Sequence, residues 1–387
     1  MNRSLVLLAL LLLAACTTLT DLKRDVTERV FGMEPGEPAM ALADFKKTAS
    51  ASMLWRADVG VAEGYDFTPA VFGSSVFAAN AKGDITRLDA ANGQQQWRVS
   101  AGEPLSGGVG AGENIVLAGT PKGMVLAFDH NGKALWKAKI SSEVLSAPKV
   151  ASGVVVVRSG DSRIFGLSAA DGSRKWVYER ATPSLSLRSS AGVTLADGAA
   201  YVGFAGGKMV ALKAGGGEAP GGVSAAPAKG TTGIERLAGI TSVPAVDGRT
   251  VYAVAFQGRV AAVDRTTGRV LWNRDISSYT GLTAQDGRVF VTHSGGAVYA
   301  LDDANGKSYW RQGGLLNRQL SAPLSLGSHA AVADLEGYVH FLSREDGAFS
   351  ERIQVSGGAA MPQLVDLGNS TILVQTRGGS LAAIALK

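Results

Sequence analysis

Leu88-Asp89-Ala90-Ala91-Asn92-Gly93-Gln94-Gln95-Gln96-Trp97 decides the fold: an apolar residue and an acid, a tight-turn dipeptide, and a tryptophan four residues past the glycine. Asn-Gly accepts the positive φ angles of a short hairpin loop, so the stretch predicts two antiparallel strands joined at Asn92-Gly93. The pattern returns as Phe128-Asp129, Asn131-Gly132 and Trp136, then as Leu167, Asp171-Gly172 and Trp176. Later copies are Val263-Asp264, Thr267-Gly268 and Trp272, and Leu301-Asp302, Asn305-Gly306 and Trp310. In Leu342, Asp346-Gly347 and Phe349 a phenylalanine is read at the tryptophan position. The tryptophans stand at 55, 97, 136, 176, 272 and 310, with steps of 42, 39, 40, 96 and 38. The step of 96 is two periods plus an insertion, and a repeat without tryptophan near Glu218 restores the register.

A second marker gives the count. A short turn, mostly glycine-bearing, followed by an apolar strand occurs eight times, from Lys82-Gly83-Asp84 to Arg377-Gly378-Gly379. Four short strands in each period of about 40 residues make one propeller blade. The fold predicted is therefore all-β, an eight-bladed β-propeller. Its first blade is expected at Ala70 to Phe72, Ser75 to Asn80, Asp84 to Asp89 and Gln95 to Val99. The eighth repeat ends at Leu386-Lys387 after its third strand, while Met53-Leu54-Trp55-Arg56-Ala57-Asp58-Val59 reads as an orphan fourth strand. Pairing the two closes the ring and removes the edges an open sheet would present.

Composition agrees with a repeat array. The 387 residues exceed what one ordinary core supports, 50 glycines imply frequent turns, and 46% hydrophobic residues suffice for a large interior. The balance of 38 Lys+Arg against 33 Asp+Glu gives +5, scattered through turns without a basic block, which argues against nucleic-acid binding. The one cysteine leaves no disulfide.

That cysteine, Cys16, closes an apolar run from Leu5 to Ala15 that follows Met1-Asn2-Arg3. The run is too short to span a bilayer, which takes about 20 residues, and reads as a signal-peptide core. Its ending, Leu13-Ala14-Ala15-Cys16, resembles the bacterial lipobox, which implies cleavage before Cys16 and acylation of that residue. Thr17 after it resembles lipoproteins passed on to the outer membrane. The organisation expected is a signal peptide over 1–15, a lipidated tether over 16–52 and the propeller over 53–387.

Two places break the repeat. The connection after Trp176 is longer than its counterparts and carries Pro183-Ser184-Leu185-Ser186-Leu187-Arg188. Lys213 to Gly233 is a Gly, Ala and Pro run expected to be a loose loop, and it leads into Ile234-Glu235-Arg236-Leu237. Both breaks join the outer strand of one blade to the inner strand of the next, so both open on one propeller face beside the fourth blade. Exposed loops on a rigid scaffold concentrate partner contacts, and arginine among apolar anchors suits a hot spot.

Chemistry finds little support. His130, His293, His329 and His340 lack metal-ligand spacing, Asp302-Asp303 and Glu345-Asp346 fall at hairpin turns, and Gly107-Gly108-Val109-Gly110-Ala111-Gly112 has no helix after it. No catalytic, cofactor-binding or metal residue is assigned. The Leu-Asp-x-x-x-Gly-x-x-x-Trp repeat resembles the docking blades of pyrroloquinoline-quinone dehydrogenases, which leaves a small-molecule-binding periplasmic propeller as the alternative reading.

Leader, tether, repeats and the Leu185, Leu187, Arg188 loop together resemble the outer membrane protein assembly factor BamB family across essentially the whole mature chain. The resemblance implies a non-catalytic lipoprotein of the β-barrel assembly (BAM) machinery, anchored in the outer membrane and facing the periplasm. It implies binding to the POTRA domains of BamA, through BamA association with other BAM lipoproteins, and as a separate class of partner unfolded outer-membrane protein clients. It places Leu185, Leu187 and Arg188 in the BamA contact, with Glu235, Arg236 and Leu237 on the neighbouring loop. Here Ala238-Gly239-Ile240-Thr241 follows Leu237 where the family often presents acidic residues.

Overall fold

The structure is a computed structural model that describes residues 37–180, 188–219, 221–223 and 239–387. The first strands in chain order are β1 (Ala51–Asp58), β2 (Ala70–Phe72), β3 (Ser75–Ala79), β4 (Asp84–Asp89) and β5 (Gln95–Ser100). Among the described residues the strands form eight four-stranded antiparallel sheets, seven of them built from four consecutive strands. The expected first blade is sheet β2-β3-β4-β5. The eighth blade has the order β1, Ser380–Leu386, Thr371–Gln375, Val365–Gly368, so its outer strand comes from the other end of the chain. Pairing runs antiparallel from Ala51 opposite Leu386 to Asp58 opposite Ser380, which is the closure the orphan strand predicted.

Burial follows position in the blade. Second strands such as Ser75–Ala79, Ile115–Gly119 and Val154–Arg158 are buried at every residue, because both faces pack on neighbouring blades. Outer strands are mostly exposed, and in β1 Trp55 is the one fully buried residue.

The tryptophan and the glycine recur together because they form one contact between blades. Each indole Nε1 donates to a carbonyl in the third-to-fourth-strand turn of the next blade: Trp55 to Ala90 at 2.9 Å, Trp136 to Ala169 at 2.9 Å and Trp310 to Arg344 at 2.9 Å, for example. The ring lies on that turn's glycine, where a Cβ on Gly93 or Gly172 would stand 2.5 Å from the indole of Trp55 or Trp136. These glycines also hold φ near +70°, which side-chain-bearing residues adopt at a cost.

Two repeats depart from this scheme. In the fourth blade the residue at the tryptophan register is Gly221, opposite Ala211, three residues beyond the expected centre at Glu218. In the seventh blade it is Glu351, opposite Phe341, whereas Phe349 opens the strand two residues earlier. The expectation that Phe349 takes the tryptophan place is corrected accordingly. In the eighth blade the outer strand is β1, so no turn joins its third strand to its fourth for an indole to cover. The buried Glu351 carboxylate instead accepts from Lys47 at 2.6 Å and from the Ala51 amide at 3.4 Å.

Residues 37–50, expected to be tether, lie against the ring as a strap. The Met40 amide donates to Leu316 O, Arg318 Nη1 donates to Met40 O, and Asn317 Nδ2 donates to Glu37. Farther along, the Thr48 and Ala49 amides donate to Ser350 O, and Ser50 and Lys387 exchange both backbone bonds. Phe45 stacks on Phe349 with centroids 5.4 Å apart, and Arg352 lies 5.0 Å over the Phe45 ring. Beneath the strap, Asp334 Oδ2 accepts from Arg318 Nε at 2.7 Å and pairs with His340 Nε2 at 3.0 Å, while Arg352 Nε donates to His340 Nδ1 at 3.2 Å.

Candidate functional site

The described outer-to-inner connections between blades open on one face, and the described ends of the two irregular connections bracket the fourth blade there. Of the expected site residues, Arg188 is described. Cys16, Leu185, Leu187, Glu235, Arg236 and Leu237 lie outside the described residues. The described ends of the two loops meet: Ser189 Oγ donates to Thr241 O at 3.4 Å, and Thr194 Oγ1 to Pro244 O at 2.5 Å. These bonds make the described ends of the two connections neighbours.

Arg188 turns toward the connection between the second and third blades. Its Nε and Nη2 donate to the two carboxylate oxygens of Glu143 at 2.8 and 2.7 Å, a bidentate fork. Its guanidinium stands 6.0 Å over the ring of Tyr65. The Arg188 hydrogen bonds hold the Glu143 carboxyl below the usual carboxylate range, and Glu143 in turn raises the Arg188 pKa. With the Arg188 side chain 59% exposed and Glu143 26%, the pair contributes at most about 1 kcal/mol to stability. It orients a guanidinium that still faces solvent.

The stem of the loop has a second hold. Ser190 Oγ donates to Asp66 Oδ2 at 2.7 Å, and Arg377 Nη2 donates to Asp66 Oδ1 at 2.7 Å. Asp66 belongs to the connection that enters the first blade, so these bonds reach across to blades one and eight. Tyr65, Asp66, Ser106, Leu145, Arg188 and Ser190 line one shallow cleft on this face. Sequence reasoning missed Glu143, Tyr65, Asp66 and Ser190. None stands at a repeat position, and their partners are 45 to 311 residues away along the chain, so no local pattern marks them.

The four histidines occupy separate places. His340 is fully buried beside Asp334, and burial pushes its pKa below the ordinary 6.5. His130 packs between Phe72 and Phe77, His293 Nδ1 accepts from the Gly295 amide, and His329 contacts Ser328. Among the described residues no group of three or more His, Cys, Asp or Glu is placed to hold a metal ion.

A closed ring of eight blades with its irregular connections gathered on one face is, as a class, a repeat-built propeller that presents loops from a rigid frame. Comparison with known proteins narrows this. A family model described as outer membrane protein assembly factor BamB matches residues 81–312. Outer membrane protein assembly factor BamB of Bordetella pertussis is 39% identical over 346 residues, covering 89% of each chain. The crystal structure of BamB from Moraxella catarrhalis superposes with a TM-score of 0.80 at 26% identity, over 87% of this chain and 100% of that one. Quinohemoprotein alcohol dehydrogenase from Comamonas testosteroni matches with a TM-score of 0.68 at 12% identity, over 86% of this chain and 76% of that one, a likeness of fold alone. The chain belongs to the BamB family of outer membrane protein assembly factors.

Proposed function

We propose that this protein is a non-catalytic scaffold lipoprotein of the outer-membrane β-barrel assembly complex. It is anchored through Cys16, faces the periplasm, and binds the POTRA domains of BamA to assist insertion of barrel proteins. The observation that carries the reading is 39% identity to a named assembly factor across 89% of the chain. The site adds a consistent detail: Arg188, at the end of the Leu185, Leu187 loop, is oriented by Glu143 and Tyr65 with its outer side open to solvent. An arginine pre-oriented at low cost in side-chain entropy is suited to a partner contact. Glu235, Arg236 and Leu237 belong to the same proposed surface, on the loop that meets Ser189.

Copurification tests this directly. The lipidated protein drawn from detergent-solubilised outer membrane should bring BamA with it. In cells depleted of BamA, where no partner retains the chain, Cys16→Ser should move the protein to the soluble fraction, since each buried acyl methylene contributes about 0.8 kcal/mol and durable anchoring takes more than one chain. Absence of BamA from the wild-type preparation would contradict the scaffold reading.

A further inference from the structure

We propose that Asp66 is a positioning residue for the docking face, holding the loop stem so that Arg188 points at the partner. The inference rests on the reading above that Arg188 belongs to the partner contact.

A chain segment held at one exposed point can still swing about it. Arg188 alone offers such a point, since its fork with Glu143 is solvent-exposed and screened. Ser190, two residues on, supplies the second hold through Asp66 Oδ2 at 2.7 Å. The carboxylate is itself fixed, because its other oxygen accepts from Arg377 Nη2 at 2.7 Å and Arg377 Nη1 donates to Tyr65 O at 3.4 Å. Tyr65, the residue before Asp66, lies under the Arg188 guanidinium at 6.0 Å. One dipeptide, Tyr65-Asp66, thus supports both ends of Arg188-Ser189-Ser190. Arg377 lies in the turn before Ser380–Leu386, the strand that pairs with β1, so the loop stem is tied to the blade that closes the ring. Holding the stem in place before the partner arrives removes an ordering cost from binding.

The test is a titration of detergent-solubilised BamA with the full lipidated chain, beside a melting curve. Asp66→Asn keeps the side-chain shape and removes the charge. It should weaken binding about tenfold while melting with wild type, and Ser190→Ala should do the same. In an Arg188→Ala background Asp66→Asn should have little further effect, because its role passes through Arg188. A residue that only supports the fold would lower the melting temperature, or would add its loss to that of Arg188→Ala. Wild-type affinity in Asp66→Asn, with Arg188→Ala impaired, overturns the proposal and leaves the docking reading intact. If wild type does not bind BamA, the docking reading fails and amide exchange decides the role of Asp66. Faster exchange at residues 188–192 in Asp66→Asn supports a positioning role, and unchanged exchange overturns it.

Discussion

Trp55→Ala tests the account of how the ring closes, because Trp55 joins the amino-terminal strand to the first blade. It is 6% exposed in a strand whose neighbour Leu54 is 51% exposed. Its indole donates to Ala90 O at 2.9 Å and covers Gly93 so closely that a Cβ there would be 2.5 Å away. Truncating a buried tryptophan costs about 3–5 kcal/mol, which includes the lost hydrogen bond. For a folded unit of about 340 residues, unfolding entropy near 2.1 cal/mol/K per residue is roughly 0.7 kcal/mol/K, so the melting temperature should fall by about 4–7 °C. Leu54→Ala on the same strand should shift it by about a degree or less. Scanning calorimetry on the two variants and wild type reads both numbers. Equal melting of Trp55→Ala and wild type, or an equal fall in Leu54→Ala, would refute the argument that the indole seals the seam.

Two further outcomes follow from the strap and from the charge cluster beneath it. Removing residues 17–36 should leave the melting temperature unchanged, while removing 17–50 should lower stability by roughly 1–3 kcal/mol, since Glu351 loses the Lys47 ammonium and Phe349 loses Phe45. Identical melting of the two truncations would mean that the strap contributes nothing. His340 is held neutral by burial, donating to Asp334 and accepting from Arg352, so its folded pKa lies below the ordinary 6.5. Its contribution is fully present above pH 6.5 and is lost as pH falls through the folded value, because the unfolded chain there binds the extra proton. Asp334, whose pKa is also lowered in the fold, adds a loss at still lower pH. His340→Gln should flatten the first part of that profile. A wild-type stability that rises on acidification from pH 7 to pH 5 would contradict it.

The fold was legible because its signal is local and repeated. Trp136 and Gly172 are two halves of one inter-blade contact, and five copies write a turn glycine and a tryptophan four residues apart into the sequence. Ring closure was legible for the complementary reason, a strand missing at one end and spare at the other. Phe349 misled because aromatic character was matched without register: hydrogen-bond pairing puts Glu351 opposite Phe341. The strap carries no period, so residues 37–50 read as tether although Phe45, Lys47 and Met40 all find partners on the ring. The loop holding Arg188 was visible as a break in the repeat. Its supports were not, since Glu143, Asp66 and Arg377 reach it only through the closed fold.

Docking of BamA on the loop beside the fourth blade, as proposed above, is tested by a binding titration of the triple variant Leu185→Ala, Leu187→Ala, Arg188→Ala against BamA, with a melting curve on the same sample. The triple variant should melt within a degree or two of wild type and lose about 2–4 kcal/mol of affinity, the scale of a truncated anchor cluster. Lys133→Ala, in an exposed hairpin turn on the opposite face, should bind as wild type does. Unchanged affinity in the triple variant would show that the partner docks elsewhere, and a large fall in melting temperature would show that the two leucines serve the core.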